Sequence, residues 1–225
     1  MPSLSSLLFQ VSPEAAKEIE EATRRQSSSA RWIQERRVRL TASKFGEVMR
    51  MRASTDGGRL ARDIANPAPL NVPAVVWGRE MELVLRRQYE VDFGVTVSRS
   101  GLVVDPARPF LACSPDGVLP DRVVELKGVY SRRHHQVGPG IADWLETDEN
   151  GQLQLKAFSK HWFQVQGQMA IVGRELCDLV VFTDASYMVV PVRAVPGYYV
   201  QEMVPKLRRF YEQHVSSEVM RGMRR

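Results

Sequence analysis

Residues 114–128, SPDGVLPDRVVELKG, decide how the chain is read. Pro115-Asp116-Gly117 is turn chemistry, with glycine supplying conformational freedom and Asp a short polar side chain. A strand follows, and its Val123, Val124, Leu126 and Val129 call for burial. Glu125 and Lys127 stand two apart, so they share one strand face. Charge on a largely buried strand is costly unless it is paired or binds an ion. Taken alone, such a pair is a surface ion pair worth about 0–1 kcal/mol.

The turn before it changes the balance. If the strand after Pro115-Asp116-Gly117 runs beside the strand before it, Asp116 approaches Glu125. Two converging carboxylates, with the Leu126 backbone carbonyl as a further oxygen, suit Mg²⁺, which keeps several waters. Mn²⁺ accepts similar ligands. Lys127 then lies beside the ion and its water. There an amine can orient or deprotonate the water, or steady charge growing on a phosphate.

Outward from this stretch the chain alternates in type. Ser12-Pro13-Glu14 opens a helix by capping and by proline at the first helical position. Residues 30–38 form a second helix. A third runs to about residue 52, capped by Thr41 or Ser43. STDGGR (54–59) reads as a mobile loop and NPAPLNVP (66–73) as an extended connection. Val75–Glu90 is helical, with Val76, Met81, Leu83, Val84, Leu85 and Tyr89 as apolar positions. Strands are expected at 95–104, 110–113, 117–119 and 123–129. Residues 131–152 read as loop. A helix at 159–172, a hairpin at 178–183 and 188–193 around Asp184-Ala185-Ser186, and a helix from Pro196 complete the chain. The terminal helix has Val200, Met203, Val204, Leu207, Phe210 and Tyr211 as its stripe. This order implies an α/β (α+β) domain with a central mixed sheet flanked by helices.

With 225 residues, 44% of them hydrophobic and 25% charged, the composition is that of a globular chain with a sizeable core. The expected organisation is one domain over 1–225, with 29–215 as its core and 1–28 as an N-terminal appendage. There is no spanning apolar run and no signal-peptide pattern, so an intracellular, soluble protein without a membrane partner is expected. Two cysteines, Cys113 and Cys177, in apolar contexts fit a reducing compartment. They form no Cys-x-x-Cys or Cys/His cluster, which leaves zinc and iron–sulfur sites unsupported. The net charge of +5 favours a polyanionic partner. The basic residues cluster at Arg24–Lys44, at Arg132, Arg133, His134 and His135, and at Lys206–Arg225.

Together these residues resemble a known family. Ser114-Pro115-Asp116-Gly117 with Glu125-Leu126-Lys127 is similar to the motif of the PD-(D/E)xK nuclease superfamily. Trp32-Ile33-Gln34-Glu35-Arg36 with Arg39-Leu40-Thr41-Ala42-Ser43 resembles the N-terminal signature of phage lambda-type 5′→3′ exonucleases, the alkaline exonuclease or viral recombinase group. Trp77-Gly78-Arg79-Glu80-Met81-Glu82 and Gln164-Val165-Gln166-Gly167-Gln168-Met169 resemble that group's next two motifs, in its order.

The resemblance implies a restriction-endonuclease-like core and Mg²⁺-dependent digestion of duplex DNA ends from a 5′-phosphate, leaving a 3′ overhang. It implies Asp116, Glu125 and the Leu126 carbonyl as metal ligands and Lys127 as the catalytic amine. Glu82 would help hold the metal or its water. It implies Arg36, Ser43 and Gln164 around the 5′-phosphate, with Arg37 or Arg39 competing for the arginine's role and Gln166 or Gln168 for the glutamine's. A ring-shaped homotrimer and a single-strand annealing protein are the implied partners. Arg132 and Arg133 suit contacts to backbone phosphates. For Trp32, Trp77 and Trp162, burial competes with stacking on bases. Two other readings share the residues: a structure- or site-selective endonuclease without the phosphate pocket, and a DNA-binding module that does not cut.

Overall fold

The computed structural model describes residues 10–67 and 72–223. Residues 1–9 of the expected appendage, 68–71 of the proline-rich connection, and the terminal Arg224 and Arg225 lie outside it. Helix α1 (Pro13–Ala22) starts where Ser12 and Pro13 predict, with the Ser12 hydroxyl accepting from the Ala15 N–H. Helix α2 (Ala30–Arg37) is capped by Ser29. Strand β1 (Leu40–Thr41) leads directly into helix α3 (Ala42–Met49), with Thr41 at the cap position but without a side-chain bond to the helix.

Helix α4 (Gly58–Ala65) lies where a loop and an unassigned stretch were expected. Asp56 accepts from the Gly58 N–H and steers the chain into it, while Leu60, Ala61, Ile64 and Ala65 bury one face. Helix α5 (Pro73–Phe93) ends on Gly94, whose left-handed φ of 62° closes the last turn. Of its expected apolar positions only Leu85 and Tyr89 are buried; Leu83 and Val84 are exposed.

Strands β2 (Val103–Val104), β3 (Leu111–Cys113), β4 (Gly117–Val118) and β5 (Arg122–Gly128) follow. The strand expected over 95–104 reduces to β2 and an isolated bridge between Ser98 and Val118. Side chains take the place of a ladder here: the N–H groups of Val97, Gly101 and Leu102 go to Glu90, Glu20 and Thr23. The expected loop at 131–152 contains the start of a hairpin, β6 (Leu145–Thr147) with β7 (Leu153–Leu155), closed by Asp148 accepting from the N–H groups of Asn150 and Gln152. Helix α6 (Lys160–Val172), capped by Ser159, precedes β8 (Leu176–Phe182) and β9 (Tyr187–Arg193). The C-terminal helix begins at Tyr199 rather than Pro196. It runs as a π-helical turn (Tyr199–Met203), α7 (Val204–Phe210), a second π turn (Tyr211–Val215) and α8 (Ser216–Met223).

The central sheet is mixed, in the order β4-β5-β8-β9, with β5 and β8 parallel and both outer pairs antiparallel. A second sheet, β1-β3-β2, stands beside it. One face of the central sheet presents Val123, Leu179, Val181 and Val190 to a core with Val165 and Met169 of α6. The other presents Val124, Leu126, Val180 and Phe182 to Leu85 and Tyr89 of α5. Helices α3 and α6 cross closely because Gly46 abuts the Lys160 backbone and Gly167 abuts the Phe45 ring. A Cβ at Gly46 would meet Lys160 Cα at 2.4 Å, and one at Gly167 would meet the ring at 2.5 Å.

Candidate active site

Strand alternation sends Glu125 and Lys127 to the α6 face of β5. Glu125 is buried, while Lys127 and Asp116 are half-buried. Lys127 Nζ donates to Glu125 Oε1 at 2.6 Å. Asp116, in the turn before β4, accepts from the Leu126 N–H at 2.7 Å. In an extended strand a residue's N–H and C=O point to the same side. The Leu126 carbonyl is therefore directed toward the edge where Asp116 sits. The turn is fixed through its own backbone: Arg86 donates to the Asp116 carbonyl at 2.7 Å, and Gln26 to the Pro115 carbonyl at 3.0 Å.

The electrostatics join Asp116, Glu125, Lys127 and Glu82 into one site. Burial pushes the Asp116 carboxyl well above its usual range, and Glu125 and Glu82 push it further. Burial, then Glu125, raises Glu82 as well, against the pull of Lys127 and Arg86. Burial disfavours the Lys127 ammonium, but Glu125, Asp116 and Glu82 outweigh it and hold the amine above its ordinary value. Three carboxylates thus face the Lys127 ammonium, with the Arg86 and Arg79 guanidiniums acting on Glu82; the negative charge gathered at Asp116 and Glu125 is what a hard divalent cation would relieve. Among the described residues, no three His, Cys, Asp or Glu side chains are gathered closely enough to hold a metal ion by themselves. Asp116, Glu125 and the Leu126 carbonyl are hard oxygen donors, a set that fits an ion taking one or two carboxylates, a backbone carbonyl and water.

Two glutamines that the sequence does not assign to this carboxylate hold it in place. Gln164 Nε2 donates to Glu125 Oε1 at 2.6 Å, and Gln168 Nε2 to Oε2 at 2.7 Å. Gln164 was expected beside a phosphate, and its amide nitrogen is given to Glu125 instead. Gln168, a competitor for that role, grips the other oxygen. Gln166 bridges the Arg193 carbonyl and the Val195 N–H. Spacing of four on α6 puts Gln164 and Gln168 on one face, a signal legible in the sequence, although their target was not.

Arg36 and Ser43 do come together, with Arg36 Nη2 donating to Ser43 Oγ at 3.2 Å. The guanidinium lies 4.2 Å from the centre of the Trp32 ring. Among the described residues no carboxylate pairs with Arg36, and burial pushes its pKa down to about 10. Trp32 Nε1 in turn donates to Ser114 Oγ at 2.9 Å. Ser114 is two residues before Asp116, so this cationic pocket is tied to the carboxylate turn. Ser114 stands in the quoted motif, but no role was read for it from the sequence. Arg39 lies apart from the pocket: it is buried and bonds Pro109, the Glu35 carbonyl and the Glu35 carboxylate. Arg132 is exposed on the turn after β5. Arg133 covers the Tyr130 ring at 4.6 Å and faces Asp184 at 3.8 Å. Trp162 is buried, and Trp77 and Trp32 pack at the edges of cores.

Residues 31–175 match the YqaJ-like viral recombinase domain. No curated protein matches the chain in sequence. The fold is similar to that of the alkaline exonuclease LHK-Exo from Laribacter hongkongensis, with a TM-score of 0.63 at 22% identity over 86% of this chain and 95% of that one. For LHK-Exo in complex with dAMP the TM-score is 0.64 at 24% identity, with the same coverage, 86% and 95%. SOX from Kaposi's sarcoma-associated herpesvirus, in a DNA complex, gives 0.63 at 13% identity over 92% of this chain and 72% of that one. Together the matched domain and the shared architecture show that the chain belongs to the YqaJ-like viral recombinase family, with the fold of phage-type alkaline exonucleases.

Proposed function

We propose that this nuclease digests linear double-stranded DNA 5′→3′ from a 5′-phosphorylated end and leaves a 3′ single-stranded overhang. The observation that carries the reading is the link from a guanidinium that no described carboxylate pairs with to a carboxylate site: Arg36 and Ser43 over Trp32, Trp32 on Ser114, and Ser114 two residues from Asp116. A terminal phosphate in that pocket receives charge-assisted bonds from Arg36 and a hydroxyl from Ser43. The N-terminus of α3, which lacks a side-chain cap, adds backbone donors.

Asp116, the Leu126 carbonyl and Glu125, with Glu82 through water, are the groups that would hold Mg²⁺, or Mn²⁺ in its place. The cation supplies Lewis acidity and a water of lowered pKa. The chain's own residues supply the rest. Gln164 and Gln168 hold Glu125 in position. Arg86 and Gln26 fix the Asp116 turn. Lys127 carries a positive charge that steadies the phosphate as negative charge grows on it. Arg132 and Arg133 meet the duplex backbone without reading sequence. The exposed Leu83, Val84, Val91 and Phe93 of α5 give apolar surface for a homotrimeric ring, and the overhang is what a single-strand annealing protein would take up.

The test compares 5′-phosphorylated linear duplex, 5′-hydroxyl linear duplex and closed circular DNA, each with and without chelator. Faster release from the phosphorylated end, none from the circle and none with chelator is the expected result. Cleavage of the circle without end preference would identify an endonuclease on the same core.

A further inference from the structure

A second charged cleft, of about 610 Å³, opens at the N-terminus of α6. Its lining includes Arg50, Trp144, Lys156, Phe158, Lys160 and His161. Three cations meet one carboxylate here, that of Asp143. Among the described residues, none of Arg50, Lys156 and Lys160 is paired with a carboxylate. Unpaired cations around one hollow make a local excess of positive charge, suited to a polyanion.

The aromatic groups of the cleft are unusual in placement. Phe158 is 58% exposed, although a large apolar ring is ordinarily driven under cover. Its backbone has φ 59°, in the left-handed region that a bulky residue rarely adopts. Its ring packs against Trp162 at 5.1 Å and Tyr198 at 6.2 Å between centroids. The chain therefore holds a strained residue so that a ring backed by other rings stands open at the lip of a cationic hollow. Strain of this kind persists where the surroundings enforce it, and it gathers at ligand clamps. Also lining the cleft, Trp144 meets the His161 ring at 4.6 Å, and His161 Nδ1 is buried without a partner among the described residues. A polar atom left without a bond awaits a ligand or a water.

We infer that this cleft is a stacking subsite for an unpaired nucleotide of the DNA substrate: the base lies on Phe158, and its flanking phosphates face Lys156, Lys160 and Arg50. Every base has a π-face, so such a platform takes single strands without regard to sequence. Gln164, which bonds Glu125, is one turn of α6 beyond Lys160, so the nucleotide would sit one helical turn from the carboxylate site. The neighbouring hollow lined by Val129, Arg132 and Leu145 shares Asp143 and Trp144 with this one, so the path continues toward Arg132. This inference rests on the nuclease reading, and it assigns a place to the strand that must leave the duplex before its end can be cut.

The test measures binding in chelator, so that it reads the subsite whether or not the protein cuts. The probes are a blunt duplex and the same duplex ending in an unpaired arm that carries a fluorescent adenine analogue. The wild-type protein should bind the forked probe more tightly than the blunt one and quench the analogue. Phe158→Ala should lose about tenfold in forked-probe affinity and most of the quenching, with blunt-duplex affinity unchanged. Phe158→Trp should restore both. Lys160→Gln, an exposed change, should weaken forked-probe binding and reduce its salt dependence. Equal forked-probe affinity and quenching in wild type and Phe158→Ala would overturn the inference. Nucleotide release by the wild type with Mg²⁺, assayed in parallel, tests the nuclease reading separately.

Discussion

Glu125 Oε1 accepts two donors at once, Lys127 Nζ and Gln164 Nε2, each at 2.6 Å. One buried carboxylate oxygen is thus shared between the amine of its own strand and an amide of the helix above. Gln168 takes the other oxygen at 2.7 Å. These donors replace the water that burial removes from the carboxylate.

Gln168→Leu should therefore act on Glu125 without touching DNA. It keeps the volume and deletes one donor. Leaving a carboxylate oxygen unsatisfied costs about 1–3 kcal/mol, read as a lower Tm in thermal unfolding. Nucleotide release should slow, with KM for DNA unchanged. A fall in KM-limited binding instead would show that Gln168 serves the substrate.

Arg36→Ala removes the guanidinium above Trp32. Hydrogen bonds to charged groups are worth about 1.5–3 kcal/mol, so preference for a 5′-phosphate over a 5′-hydroxyl end should fall by about tenfold or more. Steady-state competition between the two ends measures it. A preserved preference would move the phosphate to another arginine.

Tyr89 Oη donates to Asp178 Oδ2 at 2.5 Å, and Arg122 reaches the same carboxylate at 3.1 Å. This knot ties α5 to the far end of β5 and β8, away from the catalytic end. Asp178→Ala should destabilise the fold by about 1–3 kcal/mol, because it leaves the buried Tyr89 hydroxyl without its acceptor while Arg122 keeps Asp121 at 2.7 Å. Denaturant unfolding measures this; at permissive temperature the end preference should be unchanged.

Burial holds the His161 imidazole down to about 3, with Lys127 and Lys160 adding to it. The unfolded chain takes up this proton near pH 6.5 and the folded chain does not. The contribution to stability is present above that value and is lost as the pH falls toward the folded one. His161→Gln should therefore flatten the acid-side decline of Tm, measured by thermal unfolding across this range. An unchanged decline would place its cause elsewhere.

Much of this arrangement is written locally. Pro115-Asp116-Gly117 and Glu125-Leu126-Lys127 fix their own geometry through a turn and a period of two. Ser12, Ser29 and Ser159 cap the helices they precede. What escaped the sequence depends on tertiary contacts. Glycine-rich STDGGR punctuates the chain, yet Asp56 turns it into a helix start. The β6–β7 hairpin hides in a polar stretch, although Asp148 to Gly151 has turn composition and Gly151 has φ 75°. The apolar residues of α5 read as core, yet several face outward. The partner of Gln164 could not be read at all, because no spacing along the chain encodes which strand a helix face will meet.

As proposed, Asp116, Glu125 and Lys127 form one metal-assisted hydrolytic site. Its most direct test is nucleotide release from 5′-phosphorylated linear duplex by Lys127→Ala, with thermal unfolding as the control for folding. With the fold intact, release should fall by about a hundredfold or more, and chelator should abolish it in wild type. Undiminished, chelator-resistant release from the folded variant would contradict this assignment.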